Sequence, residues 1–318
     1  MSNLTSQDNH KTALVLGAAG FVGRHTCRQL AADGFRVVGL GHGPFAPEEI
    51  QQHKLSRWND ADITIQTIQD VCEGEQISFI VNCAGSGAVS QSFAAPAVDF
   101  LRSVDTTLAM LEFARLQPSS VRIILTSSAA VYGEQGDRDI PEETSISPIS
   151  PYGFHKAMAE MLCESYSRFF GLEIRIVRLF SVYGEGLRKQ LLWDALNKFN
   201  RGTPLFFGTG EEVRDWIHVD DAARLLCLAA TSSGSDHLII YNGGHVRANT
   251  RQILTMLANA SEVCLEPIFS GELLPGNPHR LTASHERAVE LGFQPKIDLL
   301  QGLQRYASWF RNECNIQL

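Results

Sequence analysis

Thr12-Ala13-Leu14-Val15-Leu16 runs without a break into Gly17-Ala18-Ala19-Gly20-Phe21-Val22-Gly23-Arg24. The first five residues are a compact apolar run of strand length, and helical spacing follows over Gly20–Asp33. The three glycines have separate physical uses. Gly17 permits a tight turn, Gly20 lets a diphosphate approach the backbone, and Gly23 allows close contact between helix and strand. Free amides at the helix start then face the anion, so Gly17, Gly20, Phe21, Val22 and Gly23 are candidate dinucleotide-binding residues.

Working outward, further short apolar runs occur at Phe35–Leu40, Ile77–Asn82, Val121–Thr126, Glu173–Phe180 and Leu238–Tyr241. Helical patterns lie between them, among them Ala97–Leu116, with Val98, Leu101, Val104, Leu108, Leu111 and Phe113 near helical spacing. Such alternation predicts an α/β fold, a Rossmann-type doubly wound parallel sheet wrapped by helices. After about residue 180 the pattern breaks into Gly- and Pro-punctuated pieces, such as 201–210 and 274–278. The expected organisation is a flexible tail over 1–11 and a dinucleotide-binding domain over 12–180, with returning elements around 216–245. A smaller, irregular substrate-binding lobe takes 181–215 and 246–318. A lobe laid over the carboxyl ends of the strands would close a cleft.

The chain has 318 residues, 44% of them hydrophobic, and a net charge of −8, which suits a folded enzyme-sized core and offers no basic surface to nucleic acid. Seven scattered cysteines lack metal-ligand spacing and read as buried reduced thiols in a cytoplasmic protein. No apolar run approaches the roughly 20 residues of a membrane helix.

Two more segments suit an adenine dinucleotide. Asp62 and Ile63 are candidates to cap the adenine, and Cys83, Ala84 and Gly85 end a strand with small residues beside the expected ribose and diphosphate. A carboxylate for the ribose 2′-hydroxyl is expected at the end of the second strand, where the chain has Gly39-Leu40-Gly41-His42. That absence, with His42 able to meet a phosphate, predicts that NADP(H) is tolerated beside NAD(H).

Strand Val121–Thr126 leads into Ser127-Ser128-Ala129-Ala130, and Pro151 opens a helix that carries Tyr152 and Lys156 one turn apart on one face. An ammonium there favours the phenolate. Lowering a tyrosine pKa from about 10 toward about 7 needs roughly 4 kcal/mol of differential stabilisation.

These motifs bring out a resemblance. The order GAAGFVG at 17–23, SSAAVYG at 127–133, YGFHK at 152–156, RLFSVYG at 178–184, RDWIHVDD at 214–221 and LGFQP at 291–295 resembles the extended short-chain dehydrogenases/reductases, the NAD(P)-dependent epimerase/dehydratase group that modifies nucleotide sugars. The resemblance implies Tyr152 as general acid/base, Lys156 lowering its pKa and holding the nicotinamide ribose, and Ser128 binding the sugar oxygen being oxidised. It also implies Arg214 on the substrate diphosphate, an ion pair with Asp215 being the plainer alternative, and a homodimer formed by helices Ala97–Leu116 and Tyr152–Phe170 through Leu108, Leu111, Met158, Met161 and Leu162.

Three positions depart from the pattern: Ser181 stands for an asparagine, Leu274 for an arginine and His155 for a serine. Ser181 keeps a substrate-side place, Arg280 is the candidate replacement arginine, and His155 is either a second proton donor or a solvated or cofactor-flanking side chain. The expected activity is epimerisation or 4-keto reduction of a nucleotide sugar at C4. It is not 4,6-dehydration, because Ala129-Ala130 stand where dehydratases carry an Asp-Glu pair. The competing class is a non-catalytic dinucleotide-binding sensor or scaffold.

Overall fold

The computed structural model describes residues 11–234, 236–272 and 276–314. The expected tail falls almost wholly outside these residues, as does Leu274. In chain order the first half runs β1 (Thr12–Leu16), α1 (Phe21–Ala32), β2 (Arg36–Gly41), α2 (Pro47–Gln52), β3 (Leu55–Asp60), α3 (Ile65–Val71), β4 (Ile77–Asn82), α4 (Val89–Ala94), α5 (Pro96–Phe100), a π-turn at Leu101–Asp105, α6 (Thr106–Arg115), β5 (Arg122–Ser128), α7 (Pro151–Phe170) and β6 (Ile174–Leu179). It continues with β7 (Ser181–Tyr183), α8 (Gln190–Asn200), β8 (Leu205–Phe206), β9 (Val213–His218), α9 (Val219–Thr231), β10 (Leu238–Gly243), β11 (Val246–Asn249), α10 (Thr250–Ala260), β12 (Ile268–Phe269), β13 (Arg280–Leu281), α11 (Glu286–Glu290) and α12 (Leu299–Glu313).

Seven strands form one parallel sheet in the order β10-β6-β5-β4-β1-β2-β3. The six apolar runs read from the sequence are all in it, and β3 is a seventh that was not assigned. Alternation along β1 shows how the sheet is sandwiched: Ala13 and Val15 pack with α1 and α9 on one face, while Leu14 and Leu16 pack with α3, α6 and α7 on the other. Strand order reverses between β1 and β4, which opens a crevice at the carboxyl edge there. Over that edge, β9 pairs antiparallel with β11 and parallel with β7 and β13.

The long helix expected over Ala97–Leu116 is interrupted. The π-turn adds a residue per turn, so the apolar stripe slips: Val104, Met110 and Leu111 are buried, whereas Val98 and Leu101 face outward. Of the residues expected at a dimer interface, Leu108, Met158 and Met161 are exposed, but Leu111 is core and Leu162 packs against it. The thiols also divide: Cys27, Cys72, Cys163 and Cys227 are buried and Cys83 is half-buried, while Cys264 and Cys314 are exposed. Among the described residues no helix is long and apolar enough to cross a membrane.

One buried ion pair ties α7 to the sheet. Arg178 on β6 donates to both oxygens of Glu160, at 2.7 Å from Nη2 to Oε2 and 3.0 Å from Nε to Oε1. Its remaining Nη1 donates to the Tyr132 hydroxyl (2.8 Å) and the Glu142 carbonyl (2.9 Å). Ser127 donates to Glu160 and Tyr132 to Asn242, so no member is left with an uncompensated charge. Removing one partner strands the other in the interior. Glu160→Ala is expected to lower unfolding stability by about 3–5 kcal/mol; a denaturant midpoint within experimental error of the unsubstituted protein would contradict this account.

Candidate active site

The β1–α1 turn is built as the glycine spacing requires. Gly17 is left-handed (φ +73°), and a Cβ on Gly23 would sit 2.1 Å from the Gly17 carbonyl oxygen. No side chain caps α1, and Gly20, Phe21 and Val22 line a cavity of about 1280 Å³, so the first-turn amides are open to an anion. Gly85 adds to the cradle, because a Cβ there would lie 3.1 Å from the Lys156 Nζ and 3.3 Å from the Ser103 Oγ. The residues present therefore fit a dinucleotide running from α1 past the end of β4.

The same cavity is lined by Cys83, Ala84, Gly85, Ser128, Tyr152, Lys156, Ser181 and Arg214. Ser150 caps α7 by accepting from the Gly153 amide (3.2 Å), Pro151 presets the first turn, and the Tyr152 amide donates to Ser92 (3.0 Å). Lys156 is buried and donates to the Thr126 carbonyl at 3.0 Å, a partner that carries no signal in the sequence. Ser128, at the end of β5, accepts from the Ala130 amide at 3.2 Å.

Burial dominates the electrostatics of Tyr152 and Lys156. Burial raises the Tyr152 pKa, a hydrogen bond with Ser128 pulls it back, and the Asp99 carboxylate adds to the rise. Burial lowers the Lys156 pKa, against an opposing attraction from Asp99. Lys156 is held on a backbone carbonyl and does not by itself bring the phenol down; that takes further positive charge in the cleft.

Arg214 lies in the cavity wall without an ion pair to Asp215. Its guanidinium donates to the carbonyls of Val213 (2.8 Å), His279 (3.3 Å) and Pro278 (2.7 Å). Asp215 instead binds His285 at 2.8 Å and the amides of His245 and Ala283. Carbonyls orient Arg214 without a direct ion pair; burial lowers its pKa, against attraction from the Glu212 and Glu134 carboxylates of the same cavity wall.

Other sequence candidates lie elsewhere. Arg280 donates to Thr282 (3.1 Å) and pairs with Asp139 (3.4 Å), so it is not the replacement arginine of the cavity wall. His155 is neither solvated nor aimed at the cavity: its Nδ1 lies 2.5 Å from the buried Asp99. An acid within an apolar helical stretch was the signal for that pair. Ile63 packs against the core, and Asp62 sits outside the cavity wall, where its carboxylate holds His42 Nε2 at 2.6 Å. Asp60 approaches the other ring nitrogen at 3.5 Å, because β3 pairs with β2 in a register that sets Gly41 against Asp60. His42 is thus engaged by two acids and is not a free cation awaiting a phosphate.

This is the framework of a dinucleotide-binding α/β protein with a serine, a tyrosine and a lysine gathered at its carboxyl edge. The model of the NAD dependent epimerase/dehydratase family matches residues 13–244, and the chain belongs to that family. It is 26% identical to the putative UDP-glucose 4-epimerase of Methanocaldococcus jannaschii, over 94% of this chain and 98% of the relative. It is also 26% identical to the dTDP-glucose 4,6-dehydratase of Streptomyces griseus, over 93% of each chain. The crystal structure of the UDP-glucuronic acid 4-epimerase of Bacillus cereus, in complex with UDP-glucuronic acid and NAD, superposes with a TM-score of 0.84 at 26% identity, over 95% of this chain and 99% of that one.

The Asp62 carboxylate, with Asp60 behind it, raises the His42 pKa above its ordinary value. A titration followed by NMR should show His42 protonated to a higher pH than a free imidazole, with Asp62→Asn returning it toward about 6.5. An unchanged titration in that variant would contradict the pairing.

Proposed function

We propose that the protein is an NAD(P)-dependent enzyme acting at C4 of a nucleotide-linked sugar, as an epimerase. The single observation that carries this reading is the meeting, in one cavity, of an uncapped helix start, the set Ser128, Tyr152 and Lys156, and the Arg214 guanidinium. A non-catalytic sensor has no use for that set. A 4-keto reductase uses the same residues and differs only in whether the cofactor is consumed.

In this reading Gly17, Gly20, Phe21, Val22, Gly23, Cys83, Ala84 and Gly85 hold the dinucleotide, and Lys156 takes its nicotinamide ribose. When bound, the nicotinamide supplies reversible hydride exchange. Ser128 orients the sugar hydroxyl by hydrogen bonding, Tyr152 accepts its proton as C4 is oxidised, and Tyr152 returns a proton to oxygen when the ketone is reduced. Arg214 and Ser181 hold the nucleotide side, where a planar guanidinium suits a diphosphate. The expectation of NADP tolerance rests on the missing carboxylate at Gly41 and on His42 meeting a phosphate. With Asp60 and Asp62 beside that ring, the local charge disfavours a 2′-phosphate and supports NAD.

Some relatives are dehydratases, yet Ala129 and Ala130 follow Ser128 here, and a methyl group neither gives nor takes a proton. Elimination across C5 and C6 needs an acid and a base at those carbons. We therefore read the chain as lacking 4,6-dehydratase activity. Incubated with NAD and UDP- or dTDP-hexoses, the protein should form the C4 epimer without loss of water, and Tyr152→Phe should reduce turnover by about three or more orders of magnitude while NAD affinity holds. A 4-keto-6-deoxy product, or near-normal turnover in the variant, would overturn the assignment.

The exposed Leu101, Leu108, Met158 and Met161 form an apolar face on the π-turn, α6 and α7, and the proposed homodimer covers it with the same face of a second copy. Light scattering at micromolar concentration should give twice the chain mass, and Met161→Asp should shift it toward the monomer. A monomer in the unsubstituted protein would reject this.

A further inference from the structure

The stretch from Gly184 to Gln190 crosses from the β1–α1 turn to the loop between β4 and α4. At its start, a Cβ on Gly186 would lie 3.6 Å from the Phe21 ring, and the Glu185 carbonyl sits 3.0 Å from His25 Nε2 on α1. The Glu185 carboxylate is fixed by His218 (2.9 Å) and Arg305 (2.7 Å). Further on, the Leu187 carbonyl accepts from the Tyr306 hydroxyl (2.7 Å), and Arg188 turns outward to Glu313 (2.8 Å). Lys189 turns the other way, into the cavity. Its Nζ lies 3.0 Å from where a Gly87 Cβ would stand, so the ammonium packs closely over the Gly87 backbone. Gln190 closes the stretch: its backbone is left-handed (φ +67°), and its side-chain amide donates to the Gly87 carbonyl. A non-glycine residue in that conformation is strained, and the strain persists because both ends of the stretch are anchored.

Lys189 is a cation without a counter-charge. It stands exposed to solvent at the cavity wall; among the described residues no carboxylate pairs with it, and partial desolvation and the neighbouring Arg102 guanidinium push its pKa down. The anion expected beside it is short of positive charge. A diphosphate carries about two negative charges, and the start of α1 offers roughly half a positive one. Arg24, the nearest basic residue in sequence, is turned away to Glu49 and to the carbonyls of Ala19 and Pro44.

We propose that Lys189 binds the diphosphate of the bound dinucleotide from the side opposite α1, carried there by the 184–190 stretch. The proposal rests on reading the cavity as a dinucleotide site. It adds a residue from outside the β1–α1 turn and makes the stretch a strap that slows release of the cofactor. The Gln190 contact with Gly87 and the Lys189 contact with phosphate must both open before the dinucleotide leaves. A cofactor retained through many turnovers suits epimerisation, in which none is consumed.

The test is calorimetry with NAD, with ADP-ribose and with UDP on the full chain, for the unsubstituted protein, Lys189→Gln and Lys189→Arg, with unfolding curves confirming that each variant folds. Lys189→Gln should weaken NAD and ADP-ribose by about tenfold or more, flatten the salt dependence of their binding, and leave UDP unchanged. Lys189→Arg should restore most of the affinity. Unchanged NAD affinity in Lys189→Gln would overturn the proposal, as would weakened UDP binding with NAD intact, since the cation would then serve the substrate. Failure of the unsubstituted protein to bind NAD or ADP-ribose would refute the dinucleotide site itself, a result distinct from either.

Discussion

The approach of α1 to β1 is the contact on which the rest of the site depends. Gly23 lies so close to Gly17 that any side chain would strike the Gly17 carbonyl, and Gly17 in turn lies against the backbone of Ala84 at the end of β4. Only hydrogen atoms at these positions allow helix, strand and neighbouring strand to meet there. That meeting aims the open amides of α1 at the carboxyl edge, at the point where strand order reverses. Parallel strands then deliver Ser128 and Cys83 to the same edge, because every strand of the main sheet ends on that side.

Around this edge the chain spends its polar groups on keeping charges in place. Arg178 and Glu160 fasten α7 behind the cavity, so the helix that carries Tyr152 and Lys156 cannot shift against β5 and β6 without stranding a charge. Asp220 gathers His25 (2.6 Å), Arg28 (2.5 Å) and Arg305 (2.8 Å), and joins α1, α9 and α12. Burial opposes ionisation of Asp220, but its hydrogen bonds with His25 and Arg305 win and hold its pKa far below the usual carboxylate range. Glu185 is brought to about 2 by the same contest between burial and its partners His218 and Arg305. Both carboxylates keep their full stabilising effect above about pH 5 and lose it as pH falls through their unfolded and then their folded pKa values.

The cavity itself shows the opposite pattern. Tyr152 and Lys156 are both pushed toward their neutral forms by burial, and Arg214 is oriented by carbonyls that cannot neutralise it. A site that leaves its cationic groups without direct ion pairs, and a phenol short of positive charge, is arranged for ligands that bring the missing charge.

Much of this was legible in the residues. Apolar runs bounded by turn residues located six of the seven strands, since a strand buried on both faces needs an unbroken apolar stretch. Glycine spacing located the tight β1–α1 turn, since few other arrangements require hydrogen at three such positions. β3 escaped because Leu55–Asp60 is buried only at its start and reads as polar. The π-turn escaped because one extra residue in a turn leaves no compositional mark. Local sequence determined which groups stand at strand ends and helix starts, because those depend on periodicity and backbone permission within a few residues. Only the tertiary structure decided that Arg280 serves Asp139, that His155 serves Asp99, that Asp60 returns a carboxylate to His42, and that Lys189 reaches Gly87 across 102 positions. Each of those depends on distances between segments remote in the chain, which packing sets and spacing does not encode.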